Sequence, residues 1–352
     1  MVKQPSIQLL PLLFFCLQLP IIFYCRSIPP YMDEPFHFNQ SLIFSSFDYK
    51  WDPKLTTFPG LFLITSPFLF IAKTLTISPE WLLLTARLVN LALYCLCLPV
   101  ACSLTNKDNF SLLTALSLFL LPFSWFFSLL FYTDPGSLLF LLLFFKSCSS
   151  FSKPSFKSFI FGFLAVLFRQ TNIIFIISIV VFQYYPYVSA IMRSPLNFKS
   201  KINSIFSFCY SFFPSILLIL ILFSTFFILN DFSIVLGDKS AHKPVLHLSM
   251  INYFGFLLIY LLPELIILTN KAINLSKKTF LNLLFCFVIW SVIYFLFVYF
   301  FGKRISHLYL ISDNRHYLFY LYRIINTSNP FLLLIAPSLL FSILVILLFS
   351  NF

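Results

Sequence analysis

Charge is what this sequence has least of. Only 11 of its 352 residues are acidic and 10% are charged, against 60% hydrophobic residues and 51 phenylalanines. At a mean hydropathy of +0.95 there is too little polar surface to cover the core of a water-soluble globule. The composition specifies an all-α polytopic membrane protein. Internal repeats, heptads and long linkers are also missing, so the chain reads as one membrane domain over residues 1–352. The eight cysteines lie mostly inside apolar runs and show no metal-type spacing beyond the close pair Cys95 and Cys97. A buried membrane thiol is normally a small hydrophobe. The net charge of +12 would suggest nucleic acid in a soluble protein. Here Lys and Arg cluster in short loops between apolar runs, where they set orientation and touch anionic head groups, so the expected partner is membrane lipid and not nucleic acid.

A helix needs about 20 apolar residues to cross a bilayer, and by that measure the chain holds about ten spans. They fall near 7–28, 81–104, 110–132, 136–150, 155–169, 172–190, 206–230, 249–270, 279–301 and 329–350. The first run ends in the bulky Phe23, Tyr24 and Cys25, not in a small-residue cleavage site, and is expected to be retained as a span. The stretch 60–73, GLFLITSPFLFIAK, is apolar but short and carries Pro67, so it is expected to lie at the membrane surface. With that placement one side of the membrane collects Lys3, Lys107, KSCSSFSKPSFK, RSPLNFKSK and KAINLSKK, with Asp108 as its single acid. That is the basic pattern of a cytoplasmic face.

The polar motifs YMDEPFHFNQ, WDPKLTTFPG, FYTDPGS, FRQTN, GDKSAHK and HLYLISDNRHY then all fall on the opposite face. Gly60, Gly136, Gly237 and Gly302 lie in or beside them, where backbones turn tightly or approach a ligand. A carboxylate at a helix centre in the bilayer costs about 2.5–3.5 kcal/mol on the insertion scale, which puts these acids at the membrane edge. Adjacent Asp33 and Glu34 repel, so one holds its proton more tightly unless a cation or hydrogen bond intervenes. If the substrate is a sugar carried on a lipid phosphate, its transfer needs a base for the attacking hydroxyl and cations for the departing phosphate, but no dedicated acid. Asp33 and Glu34 are the base candidates; Arg169, Lys239, His242, Arg315 and His316 are candidate phosphate or sugar contacts. Arginine suits phosphate because its planar fork pairs with two oxygens. Singly, each residue also has a plain reading. Asp52–Pro53 and Asp134–Pro135 are common turn starters, a lone histidine is more often structural, and FRQTN can be a polar break between two short helices.

Read in order, YMDEPFH, WDPKLTT-x-PG, YTD-x-GS, RQTN, GDKSAHK-x-x-LH and SDNRHY-x-FY resemble the dolichyl-phosphate-glucose-dependent α-1,2-glucosyltransferases of the endoplasmic reticulum. These add the terminal, third glucose to the lipid-linked oligosaccharide used in asparagine-linked glycosylation. The blocks run from residue 31 to residue 323. The family usually has Pro where this chain has Phe58 and Leu308, which bears on loop geometry and not on a reacting group. The resemblance implies a C-type glycosyltransferase fold whose first lumenal loop, about 29–80, carries surface helices and a catalytic carboxylate. It implies a dolichyl-phosphate glucose donor, a dolichyl-diphosphate oligosaccharide acceptor, inversion at the transferred sugar, and neither metal nor other cofactor. On that reading Asp33 is the general base, and Glu34 is the second candidate or positions the acceptor. His37, Asp52, Lys54, Asp134, Arg169, Gln170, Asn172, Asp238, Lys239 and His242 line the substrate site, while Asp313, Asn314, Arg315 and His316 recognise the donor phosphate and glucose. The alternatives are a mannosyltransferase of the same fold, or a transporter or scaffold. Transporters often show two matching halves with interrupted helices, and this sequence has no such symmetry.

Overall fold

The computed structural model describes residues 10–75, 78–104, 120, 122–149, 156–195 and 197–239. The chain divides into two compact units, Met1–His242 and Lys243–Phe352, and every described residue lies in the first. The expected spans at 249–270, 279–301 and 329–350 fall outside the described residues.

The described elements are helices, with no strand among them. They are α1 (Leu10–Tyr24), α2 (Glu34–Phe44), α3 (Gly60–Thr74), α4 (Pro79–Leu104), α5 (Pro122–Ser128), α6 (Asp134–Ser149), α7 (Phe156–Phe168), α8 (Asn172–Arg193) and α9 (Phe198–Leu229). Most coincide with an expected apolar run. Two boundaries carry the differences that bear on the site. The helix expected over 206–230 begins at Phe198, because the Asn197 side chain accepts from the Ser200 N–H at 2.8 Å and caps it earlier. The run expected to be helical to 132 stops at Ser128, and residues 129–133 form a non-helical approach to α6. Among the described residues α4 and α8 are long and apolar enough to cross a membrane. At about 1.5 Å per residue, the 15-residue α3 is only about 22 Å long.

Helix α4 is the central post, packing against α1, α3, α5 and α6, while α7 joins α6 to α9. The core between them is aromatic, with Phe62, Tyr94, Phe131, Phe144 and Phe168 fully buried. Close approach matters more here than hydrophobic drive, since lipid tails are as apolar as the core. A Cβ at Gly60 would lie 2.6 Å from the Leu167 carbonyl oxygen, so glycine lets the start of α3 abut the end of α7.

Helix α2 has an unusual section. Its buried face is Glu34, His37, Gln40, Ser41 and Phe44, positions that share one side at helical spacing. The polar side chains point inward and Phe36 stays exposed. Buried polar groups must be partnered, so this face commits α2 to specific neighbours.

Candidate functional site

The acidic pair is split by geometry. Asp33 is the exposed N-cap residue of α2, and Glu34 begins the helix with its side chain 0% exposed. Both sit at the positive end of the helix dipole, which favours carboxylates. Glu34 accepts from Arg87 Nε at Oε1 and from Arg87 Nη2 at Oε2, each at 2.7 Å. It also accepts the Tyr31 N–H at 2.9 Å and the Phe131 N–H at 2.8 Å. Arg87 spends its remaining nitrogen on the Cys25 carbonyl, 2.7 Å away. A cation and two amides thus remove the repulsion that two neighbouring carboxylates would suffer, and Glu34 presents nothing to a substrate.

Arg87 belongs to the site's foundation and was not among the candidates. Its signal was available: an arginine, followed three residues on by Asn90, inside the apolar run WLLLTARLVNLALY. Ionisable and amide groups at such depth are rare and partnered. Asn90 Nδ2 donates to the Leu130 carbonyl at 2.5 Å and so holds the 129–133 segment. Tyr132, likewise missed, has its hydroxyl 3.0 Å from the Asp33 nitrogen and 3.0 Å from the Tyr31 carbonyl.

The described motifs of the sequence are tied into one cluster. Gln40 on α2 donates to the Lys50 carbonyl at 2.7 Å and accepts the Asp52 N–H at 2.9 Å, joining the first motif to WDPKLTT. Asp52 Oδ1 accepts the Lys54 N–H at 2.9 Å in a local turn, and Lys54 Nζ lies 5.6 Å from the centre of the Phe36 ring. The Thr56 carbonyl then gathers two further motifs, accepting Gln170 Nε2 at 2.5 Å and the Leu236 N–H at 3.3 Å. Asp238 N donates to the Pro53 carbonyl at 2.7 Å. Between them Gly237 has φ 74°, and a Cβ there would sit 2.3 Å from the Pro53 oxygen, so only glycine fits this crossing. Lys239 Nζ closes the loop on the Asn230 carbonyl at 3.0 Å and on Asp231 Oδ2 at 2.8 Å.

Arg169 and Asp134 form an ion pair that links FRQTN to FYTDPGS, and both side chains are nearly half exposed, 43% and 44%. A cavity of about 250 Å³ adjoins Asp134, lined also by Tyr94, Ser124, Phe127, Pro135 and Leu138. His37 lies beneath this region, its ring edge-on to Tyr132 and tilted against Phe62. Burial, and then the nearby positive charge of Arg169, lower its pKa from 6.5 to about 4, so it is a neutral imidazole at physiological pH. Its Nδ1 is buried without a hydrogen-bond partner.

Of the expected site residues, Asp33, Asp52, Lys54, Asp134, Arg169, Asp238 and Lys239 belong to this loop cluster, with His37 as its floor. Glu34, Gln170 and Asn172 face inward as ties; Asn172 Nδ2 donates to Ser137 Oγ and to the Ala165 carbonyl, both at 2.7 Å. His242, Asp313, Asn314, Arg315 and His316 lie outside the described residues. The arrangement offers an accessible carboxylate at a helix N-terminus, with a half-exposed guanidinium on the same cluster. That combination suits deprotonation of a hydroxyl beside an anionic leaving group.

Comparison with known proteins gives the cluster its context. Residues 28–351 match the DIE2/ALG10 family. The chain is similar to proteins named Dol-P-Glc:Glc(2)Man(9)GlcNAc(2)-PP-Dol alpha-1,2-glucosyltransferase in several eukaryotes. It is 28% identical to the one from Homo sapiens, over 89% of this chain and 73% of that protein. It is 30% identical to the Drosophila melanogaster protein, over 90% and 73%, and 28% identical to the Arabidopsis thaliana protein, over 89% and 76%. No solved structure matches.

Proposed function

The chain belongs to the DIE2/ALG10 family, and on that premise we propose how it works as a hexosyltransferase that moves glucose from dolichyl-phosphate glucose to the diglucosylated, dolichyl-diphosphate-linked oligosaccharide in α-1,2 linkage. The relatives' shared name supports donor and acceptor. The mechanism is carried by one observation: of the two adjacent acids, Asp33 alone is exposed.

Asp33 takes the proton from the acceptor glucose 2-hydroxyl as its oxygen attacks C1 of the donor glucose. The bond from C1 to the phosphate oxygen breaks, and dolichyl phosphate leaves with the electron pair. A single in-line displacement inverts a β-linked donor to an α product. Arg169 exchanges its hold on Asp134 for the departing phosphate, pairing with two oxygens through its fork. His37, its basicity lowered by burial and by Arg169, keeps the floor uncharged. Glu34 serves as the anchor of this loop through Arg87. Asp52, Lys54, Asp238 and Lys239 meet sugar hydroxyls from the loops that converge on Thr56. By the resemblance of their motifs, His242, Asp313, Asn314, Arg315 and His316 recognise donor phosphate and glucose.

The protein is a multi-pass membrane enzyme of the endoplasmic reticulum whose 352 residues act as one domain of C-type fold with about ten spans. The loop of about 29–80 faces the lumen. The length of α4 and α8 supports spanning. The shortness of α3, with Leu63, Phe68, Phe70 and Ile71 exposed along it, supports a helix lying in the interface. Glycosylation of Asn109, which this topology puts in the cytosol, would overturn it.

The test uses membranes containing wild type or Asp33→Asn, supplied with dolichyl-phosphate glucose and the diglucosylated acceptor. Wild type is expected to add one α-1,2-linked glucose and an equally abundant Asp33→Asn none. An active Asp33→Asn removes the base assignment; a wild type active only with dolichyl-phosphate mannose removes the donor.

A further inference from the structure

The residue that aims Asp33 is identifiable from the backbone. Met32, immediately before it, has φ 50°, in the left-handed region that a side chain with a Cβ disfavours. Met32 and Asp33 are the central residues of a turn closed by the Glu34 N–H donating to the Tyr31 carbonyl at 3.0 Å. Turns with positive φ at the first central position normally take glycine there. Such a conformation persists only where its surroundings over-determine it.

Those surroundings are specific. The Tyr132 hydroxyl donates to the Tyr31 carbonyl and accepts from the Asp33 N–H, both at 3.0 Å. One oxygen thus bridges the two peptide groups that flank Met32. The Tyr132 ring is itself held edge-on by His37 and Phe127, at centroid distances of 5.7 and 5.1 Å. On the far side of the turn, Glu34 fixes the Tyr31 N–H.

We propose that Tyr132 is a positioning residue for glucosyl transfer: its hydroxyl clamps Met32 in the left-handed turn and thereby sets the direction in which Asp33 presents its carboxylate. The proposal rests on Asp33 being the base. A clamp of this kind acts on the reacting geometry and not on substrate affinity. Displacing a catalytic group by about 1 Å can cost up to a hundredfold in rate. Loss of one hydrogen-bonding hydroxyl, with the ring retained, is a smaller disturbance, and about tenfold is expected.

The experiment compares wild type, Tyr132→Phe, Met32→Gly and the double variant in the transfer assay, with Asp33→Asn alongside and abundance in the membrane measured for each. Tyr132→Phe is expected to accumulate normally, to lose about tenfold in kcat and to keep both substrate KM values within about twofold. Glycine holds the turn without side-chain strain, so in the Met32→Gly background the same hydroxyl loss is expected to cost no more than about threefold. Unchanged kcat in Tyr132→Phe, or an equal loss in both backgrounds, overturns the clamp. If Asp33→Asn is inert while Tyr132→Phe turns over as wild type, the clamp alone fails. If Asp33→Asn is active, the base assignment fails and the clamp's catalytic role goes with it.

Discussion

Two acid–arginine pairs in this protein share their chemistry and differ in their surroundings. Glu34 and Arg87 are 0% and 1% exposed, while Asp134 and Arg169 are 44% and 43% exposed. Burying ions costs several kcal/mol each, recovered only by good geometry and further hydrogen bonds, and the first pair has both. Separating it would leave a charge stranded in an apolar interior. The second pair contributes about 0–1 kcal/mol in the way of exposed pairs, so Arg169 can leave Asp134 for a phosphate at little cost. The difference teaches that burial, not the residue types, separates a fixed joint from an exchangeable pair.

The comparison breaks most visibly at Arg87. Arg87→Leu strands Glu34 and is expected to lose about 3–5 kcal/mol of stability, seen as near-complete loss of the protein from membranes. Removing both charges in Glu34→Leu/Arg87→Leu should restore part of the abundance, and a double variant no better than the single would mean that charge is not what the buried joint needs. Next in size is Arg169→Ala, which should accumulate close to wild type and lose about a hundredfold in transfer rate, as when a preorganised charge donor is removed. Arg169→Lys keeps the charge without the fork and should fall between the two. An Arg169→Ala variant that disappears from membranes would make the two pairs alike.

Acid provides a milder test. The folded-state pKa of His37 lies near 4, below its ordinary 6.5, with burial as the larger cause and Arg169 as the second. The fold therefore accepts the neutral ring. The stability this brings is fully present above pH 6.5 and is lost as pH falls through the window toward about 4, because the unfolded chain then binds a proton that the folded chain refuses. Thermal unfolding in detergent should show that acid loss in wild type, less of it in Arg169→Ala, and least in His37→Phe. Smallest of all, Asp134→Asn should change stability by less than about 1 kcal/mol, measured by the same unfolding.

Much of this was legible in the chain. Most of the described apolar runs gave helices close to their expected limits because a long apolar segment has few other ways to satisfy its backbone. The described polar motifs, which the fold brings together, were legible as a group, since polar strings in so apolar a chain stand out. Less visible was which residues of a motif face outward. In FRQTN, Arg169 is half exposed while Gln170 and Asn172 are buried at 6% and 2%. Four neighbouring polar letters carry no such distinction, because the turn between α7 and α8 sets it. Arg87 was missed because it was read as part of an apolar segment; Tyr132 stands in the motif FYTDPGS and was passed over because its letter does not show what its hydroxyl reaches.

The sequence by itself determined that this is a helical, membrane-type chain and, through the order of its polar motifs, which family it belongs to, because composition sets the solvent a chain can live in and motif order marks its relatives. Only the tertiary structure decided that Glu34 is a joint and Asp33 the accessible acid. That choice depends on Arg87, 53 positions along the chain from Glu34, arriving in the apolar interior where an unpaired carboxylate cannot stay.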